Sequence, residues 1–348
     1  MDDDRFLASL LLGAIGDALG APIEFLMMDT VRKLHGPDGL TTFAEEYGGR
    51  GKITDDTQMT LFTLEGLIRG HHAMRAGDLA NPLPAIAQAY LRWLYTQDKR
   101  SEATLDGWLV EVPGLHAARA PGNTCLTALR GLGNGKPVGT FTNRLNNSKG
   151  CGAVMRCAPF AIWSEDVTEV FTLASAAGAI THSHPSGYLS GGTLAVVVHR
   201  LVRGDALDRA VAVARAELST WDGHEEQLAI LDKAMALTRP TPESIAADLG
   251  GGWVGEEALA IALLAARTGD DPRDALLLAA NHSGDTDSTA AICGNILGAA
   301  HGTAAIPTDW LAEVELRDVI ERIAADALLE FGPMPPDTDD WRKRYPAT

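Results

Sequence analysis

Two short stretches, far apart in the chain, carry the same chemistry. Thr54-Asp55-Asp56-Thr57 opens an apolar run that reads as a helix to about Gly70, and Gly284-Asp285-Thr286-Asp287-Ser288 opens another from Ala290 to Ala300. In both, carboxylates crowd between hydroxyl side chains at a helix head. One N-cap needs one oxygen-bearing side chain, and carboxylates this close repel unless something positive lies between them. Oxygen donors with no Cys or His inside either cluster suit a hard cation, Mg²⁺, Mn²⁺ or Ca²⁺, rather than zinc. Four carboxylates exceed the charge of one ion and leave room for two. The other reading is two independent acidic caps, since acids favour helix N-termini in any case. Spacing alone does not separate the two.

A shared cation would constrain the fold strongly, because it brings both halves of the chain to one point. A length of 348 residues would otherwise suggest about two domains. The paired clusters argue instead for one domain over residues 1–332, followed by a Pro- and Asp-rich peripheral tail over 333–348. A hydrophobic fraction of 46% is enough for a large core, and the net charge of −17 with no basic tract gives no nucleic-acid face. Cys125, Cys151, Cys157 and Cys293 make no paired metal pattern. Few cysteines, no signal peptide and no apolar run expected to span a bilayer give a cytoplasmic expectation, with no membrane partner.

Along the chain, Phe6 to Leu19 has helical periodicity and stops at Gly20-Ala21-Pro22. Gly13 and Gly16 lower its helix propensity and suit close approach of another helix; Asp17 is a polar intruder among them. Glu24, between Ile23 and Phe25, is either a surface turn residue or a buried functional carboxylate. Asp29 to Lys52 is Gly-rich and reads as a long loop beside the site, either a lid or a plain surface loop. Helices are expected over Ile86–Tyr95, Cys125–Leu132, Val167–Ile180, Tyr188–Arg203, Ala206–Leu218, Glu225–Leu237, Glu256–Arg267 and Asp274–Ala280.

Gly150-Cys151-Gly152-Ala153 precedes an apolar run beginning Val154-Met155-Arg156. Glycines before a helix expose N–H groups that can cradle a phosphate, although this is no Walker or dinucleotide fingerprint. In Thr181-His182-Ser183-His184 the two histidines do not share a helix face, so one lining a site by hydrogen bonding fits better than a zinc role.

Taken in order, Gly13-Ala14-Ile15-Gly16-Asp17-Ala18-Leu19-Gly20 with Glu24, Thr-Asp-Asp-Thr, Gly-Cys-Gly-Ala-Val-Met-Arg, Thr-His-Ser and Gly-Asp-Thr-Asp-Ser resemble the ADP-ribosylglycohydrolase family, which includes dinitrogenase reductase-activating glycohydrolase and the ADP-ribosylhydrolases. The match runs from about Phe6 to Gly302. The resemblance implies an all-α compact orthogonal multi-helix bundle and a centre of two Mg²⁺, with Mn²⁺ an alternative. It implies cleavage of the bond joining ADP-ribose to a modified protein or other conjugate, with ADP-ribose as product. Thr54, Asp55 and Asp56 match the first ligand set of the family; Asp285, Asp287 and Ser288 match the second, Ser288 standing where Thr is frequent. Glu24 matches an acid beside the scissile ribose, and Glu24 and Asp55 are the candidate catalytic acids. Gly150, Cys151, Gly152, Ala153 and Met155 match the diphosphate segment, and His182 the histidine near ADP-ribose.

The resemblance implies an ADP-ribosyl-arginine substrate first. Serine-linked, nucleic-acid-linked and other conjugates stay open, because Ala120-Pro121-Gly122-Asn123 carries no acid where arginine-directed members have one. A non-catalytic ADP-ribose-binding or structural relative is a further alternative, set against the four retained aspartates. A phosphohydrolase acting on the diphosphate would release AMP instead.

Overall fold

The structure, a computed structural model, describes residues 1–98 and 105–347. Asp2 starts the first helix by accepting the Arg5 N–H. The chain then runs through α1 (Asp3–Gly20), α2 (Met28–His35), α3 (Asp55–Ala76), α4 (Leu83–Gln97), α5 (Asn123–Gly133), α6 (Val167–Ala179), α7 (Pro185–Leu201) and α8 (Leu207–Leu218). It continues through α9 (Glu225–Ala236), α10 (Pro242–Leu249), α11 (Gly255–Thr268), α12 (Pro272–Ala280), α13 (Thr286–His301), α14 (Thr308–Glu313), α15 (Arg317–Glu330) and α16 (Asp339–Arg344). Among the described residues there is no strand, only isolated bridges at Glu46–Gly49 and Gly150–Val254. The architecture is all-α.

Three helices position the site. α1 and α13 pack with their backbones almost touching. A Cβ at Gly16 would lie 2.0 Å from the Ala290 carbonyl oxygen, and one at Gly294 would lie 2.0 Å from that of Leu12. Only glycine allows that approach. Farther along the seam, the Thr286 hydroxyl donates to the Gly20 carbonyl at 2.9 Å, fixing the end of α1 at the head of α13. The head of α3 is set by α1 as well, because Asp17 accepts the Thr54 N–H at 3.0 Å and the Thr57 N–H at 3.1 Å. Two acidic helix heads therefore converge on the last turn of α1.

α1 corrects one expectation. Asp3–Ile23 is long and apolar enough by length and composition to cross a membrane, with a mean hydropathy of 1.7. In the fold, 89% of that window is buried against other helices. Its all-round apolar character is that of a core helix. α7 shows the same logic: Val196, Val197 and Val198 are β-branched, yet all are fully buried in a helix. Burial of each is worth about 1.5–3 kcal/mol and outweighs their weaker helix propensity.

Other differences have local causes. The Gly-rich stretch from Asp29 to Lys52 begins inside α2, which starts at Met28 and stops at Gly36, where φ is 103°. The run after Gly150 forms two 3₁₀ segments, Cys151–Arg156 and Ala158–Ile162, in place of one α-helix. Pro159 at the head of the second lacks the N–H that a continuous helix would need. The tail from Pro333, expected to be peripheral, returns Trp341 and Tyr345 to the core. There the Tyr345 hydroxyl donates to Asp326 at 2.7 Å, and the Trp341 ring N–H donates to Glu330 at 3.1 Å.

Candidate functional site

Each acidic cluster is built by its helix head. Thr54 caps α3 and accepts the Asp56 N–H at 3.3 Å, so Asp55 and Asp56 fall in the first turn. Asp285 precedes α13, and Asp287 sits in its first turn, accepting the Ser288 N–H at 2.9 Å. The clusters meet directly: the Thr54 hydroxyl donates to Asp287 Oδ2 at 3.2 Å. Glu24 follows a short 3₁₀ turn, Ala21–Ile23, that continues from α1. Oxygens of Glu24, Asp285 and Asp287 lie within 4.8 Å of one another.

A cavity of about 450 Å³ opens over this cluster. Glu24, Asp55, Asp56, Asp285, Asp287 and Ser288 line it, together with Gly150, Cys151, Gly152, Met155 and His182. Of the residues selected from the sequence, Thr54 and Ala153 are set behind this lining, both fully buried. The loop is fastened from outside. Gly150 donates to the Ser148 hydroxyl at 3.3 Å, Cys151 donates its N–H to the Trp253 carbonyl at 3.2 Å, and the Cys151 thiol meets Asp285 Oδ2 at 2.8 Å. A larger cavity of about 790 Å³ lies elsewhere; among the described residues that line it the one acid is Asp106, already held by Arg69.

The electrostatics of the cluster are unbalanced. Glu24 is pushed up to about 10, first by burial and then by Asp287, Asp285, Asp55 and Asp17. Burial, with Asp287 next, pushes Asp55 and Asp56 well above the carboxylate range. Asp285 is raised for the same two reasons. Asp287 is raised by burial, partly offset by hydrogen bonding with Asp285 and then by bonds from Ser288 and Thr54. Glu24 Oε2, Asp56 Oδ2 and Asp285 Oδ1 are buried without a hydrogen-bond partner. Buried acceptors left unpaired cost free energy, and buried like charges cost more. A hard divalent cation removes both penalties, so this donor set fits one. Thr54, Asp55, Asp56, Asp285, Asp287, Ser288 and Glu24 are the residues that could hold it.

Several contributors were not legible as site residues. Asp17 is fully buried and touches neither the cavity nor the loop, yet it carries the head of α3. Phe25 and Trp253 stack at the cavity mouth, with ring centroids 5.4 Å apart and planes 18° apart. Both line the cavity and both stay exposed, at 65% and 43%. Phe25 holds φ at 66°, unusual for an aromatic residue. That conformation follows the turn after Glu24, and no sequence signal gives the pairing. His184 plays a local part: its ring caps α7 by accepting the Ser186 N–H at 3.2 Å. The Gly-rich loop is pinned near the site by Arg50 to Glu313 and Lys52 to Glu315, at 2.8 and 3.0 Å.

The fold and the site together describe an all-α protein with an acidic, cation-ready cleft closed by a glycine-bearing loop. The family model for ADP-ribosylglycohydrolase matches residues 1–336, and the chain belongs to the ADP-ribosylglycohydrolase family. It is similar to the ADP-ribosyl-[dinitrogen reductase] glycohydrolase of Rhodospirillum rubrum, with 32% identity over 212 residues, 58% of this chain and 59% of that protein. It is also similar to the uncharacterized protein YegU of Escherichia coli K12, with 26% identity over 62% of this chain and 60% of that protein. The chain thus spans about three fifths of the length of these curated relatives. A solved ADP-ribosylglycohydrolase-related protein complex superposes with a TM-score of 0.69 and 26% identity, covering 94% of this chain and 98% of that one.

Proposed function

We propose that the protein is a divalent-cation-dependent ADP-ribosylhydrolase that frees ADP-ribose from a modified target. The observation that carries this reading is the convergence of Glu24, Asp285 and Asp287 within 4.8 Å, beside the head of α3, inside a cavity large enough for part of a nucleotide sugar. Breaking a ribosyl bond builds positive charge at the anomeric carbon, and preorganised carboxylates favour it. When bound, Mg²⁺ or Mn²⁺ would supply an anchor for ribose hydroxyls and a lowered pKa for a nearby water. Glu24 and Asp55 would be the acids that move a proton. Relief of the repulsion from Asp287 and Asp285 would bring Glu24 back toward a working range. Gly150 and Gly152 would take the diphosphate beside His182, with Ala153 packed behind them. The Phe25–Trp253 pair offers a flat apolar face on which a purine stacks.

The linkage read first is ADP-ribosyl-arginine on protein. One observation favours a second reading: Ala120, Pro121, Gly122 and Asn123 line the cavity without a carboxylate, so a cationic guanidine leaving group meets no acid there. Serine-linked or nucleic-acid-linked ADP-ribose needs no such partner. A panel of arginine-, serine- and nucleic-acid-linked substrates, each with Mg²⁺, Mn²⁺ or EDTA, separates these by product chromatography. Intact ADP-ribose is expected with cation and not with EDTA. Release of AMP would place the cut at the diphosphate and contradict the proposal.

A further inference from the structure

Arg156 ends the Gly150–Arg156 motif, yet it lies beneath the cavity and is fully buried. Among the described residues no carboxylate pairs with it. Its guanidinium sits over the Tyr90 ring at 4.3 Å from the centroid, and Nη1 meets Cys125 Sγ at 3.4 Å and Met59 Sδ at 3.5 Å. None of these partners is a carboxylate, so the cation is held by the ring face and by sulfur. Its one short polar bond runs from Nη2 to the Thr181 hydroxyl oxygen at 2.8 Å. That same oxygen lies 2.8 Å from His182 Nδ1.

The direction of the second bond follows from donor counting. A guanidinium only donates, so Thr181 Oγ1 is an acceptor toward Arg156. The hydroxyl has a single proton to give. Among the described residues its nitrogen and oxygen acceptors are His182 Nδ1 at 2.8 Å and the Gly178 carbonyl at 3.4 Å, the Cys125 sulfur being a weaker one. The shorter bond is the better one, and the positive charge behind Thr181 makes the hydroxyl a stronger donor. Nδ1 is then an acceptor, and the ring proton belongs on Nε2. That atom faces the loop: a Cβ at Gly150 or at Gly152 would lie 3.4 Å from it. Burial and Arg156 also push His182 down to about 3, so the ring is neutral.

We infer that Arg156 is a positioning residue that acts through Thr181 to lock His182 as a neutral imidazole presenting Nε2–H to the Gly150–Gly152 loop. The ring then offers a fixed donor to an acceptor oxygen lying on that loop, without a change of charge. A diphosphate oxygen of ADP-ribose is that acceptor, and this last step rests on the function proposed above.

The test is the tautomer of His182, read from imidazole nitrogen shifts by NMR in ligand-free protein and assigned with His182→Gln. Wild type should show the Nε2–H form. Thr181→Val, nearly isosteric, should shift the ring toward the Nδ1–H form and raise the Kd for ADP-ribose roughly two- to tenfold, the span of one neutral hydrogen bond. Thr181→Ser should restore both. An Nδ1–H or protonated ring in wild type would overturn the inference, and that spectrum alone decides it if the Val variant does not fold. An unchanged tautomer in Thr181→Val would overturn the role of Thr181. A changed tautomer with unchanged Kd would overturn the role in binding. Failure of wild type to bind ADP-ribose at all would count against the proposed function, while the tautomer result still decides the relay.

Discussion

Asp17 and Thr57, on different helices, are joined twice: the Thr57 N–H and hydroxyl both donate to Asp17 Oδ2, the N–H at 3.1 Å. With the Thr54 N–H at 3.0 Å, this makes Asp17 an N-cap for α3 supplied by α1. The acids that face the cavity, Asp55 and Asp56, lie between the two residues it holds. Their placement therefore depends on a buried side chain that does not line the cavity.

Asp17→Asn keeps the size of the side chain and one acceptor but loses the other. Stability should fall by about 1.5–3 kcal/mol, the worth of a hydrogen bond to a charged group, read as a shift in the urea midpoint at saturating Mg²⁺. Cation affinity by calorimetry should also fall, because Asp55 and Asp56, proposed to hold the cation, are no longer fixed. Unchanged cation affinity in this variant would show that the α3 head orders itself.

The pH dependence follows from the crowded acids. Burial, then Asp287, raises Asp17 from 3.8 to about 7, and burial, then Asp287 and Asp285, raises Glu24 from 4.5 to about 10. Both folded values exceed the unfolded ones, so the folded protein keeps protons that the unfolded chain releases. Without cation, the stability linked to these groups is full below the unfolded values and is lost as pH rises through the folded ones. A divalent cation competes with those protons. The thermal shift produced by Mg²⁺ should therefore grow between about pH 5.5 and about pH 8. A shift independent of pH would mean that the cation binds elsewhere.

How much of this was written in the sequence differs from residue to residue. Asp55, Asp56, Asp285 and Asp287 were legible because too many acids stood at two helix starts, and Gly16 because a glycine inside an apolar helix asks for a reason. The helices from Val167 to Ala280 were legible as Ala- and Leu-rich runs, except Pro242–Leu249, which was missed. Asp17 was only an oddity, since the groups it caps are 37 and 40 residues away. The Phe25–Trp253 stack depends on two loops meeting, and nothing local announces it. The Arg317–Glu330 helix and the burial of Tyr345 were missed for a similar reason: few signals mark a charged helix whose partner strip lies at the far end of the chain.

Trp253→Ala tests the mouth of the cavity. Loss of base–aromatic stacking should weaken ADP-ribose binding by about 1–3 kcal/mol. Binding of ribose 5-phosphate, which has no base, should not change. Equal loss for both ligands, by calorimetry, would mean that Trp253 only supports the fold.

The loop glycines should separate when each is changed to alanine. A Cβ at Gly152 would lie 2.9 Å from Cys125 Sγ and 3.2 Å from His182 Cε1, so Gly152→Ala disturbs the packing beneath the loop. A Cβ at Gly150 would lie 3.4 Å from His182 Nε2, an ordinary contact that covers the donor. Gly150→Ala should keep the melting temperature and the cation affinity while raising the Kd for ADP-ribose about tenfold, or 1.4 kcal/mol. Gly152→Ala should lose stability as well. Equal melting temperatures for the two variants would contradict this description of the loop.

The central claim is that the two acidic helix heads form one cation site that drives glycosidic cleavage. The most direct measurement is the initial rate of ADP-ribose release across a Mg²⁺ titration, for wild type and Asp287→Asn, using the conjugate that the substrate panel selects. Asp287 touches both heads through Ser288 and Thr54. Losing its charge removes a hard ligand at the point where the clusters meet. The expected result is a saturable Mg²⁺ dependence in wild type, abolished by EDTA, and a rate lower by orders of magnitude in Asp287→Asn with the helical circular dichroism preserved. Release of intact ADP-ribose by Asp287→Asn at the wild-type rate, or by wild type at the same rate in EDTA, would contradict it.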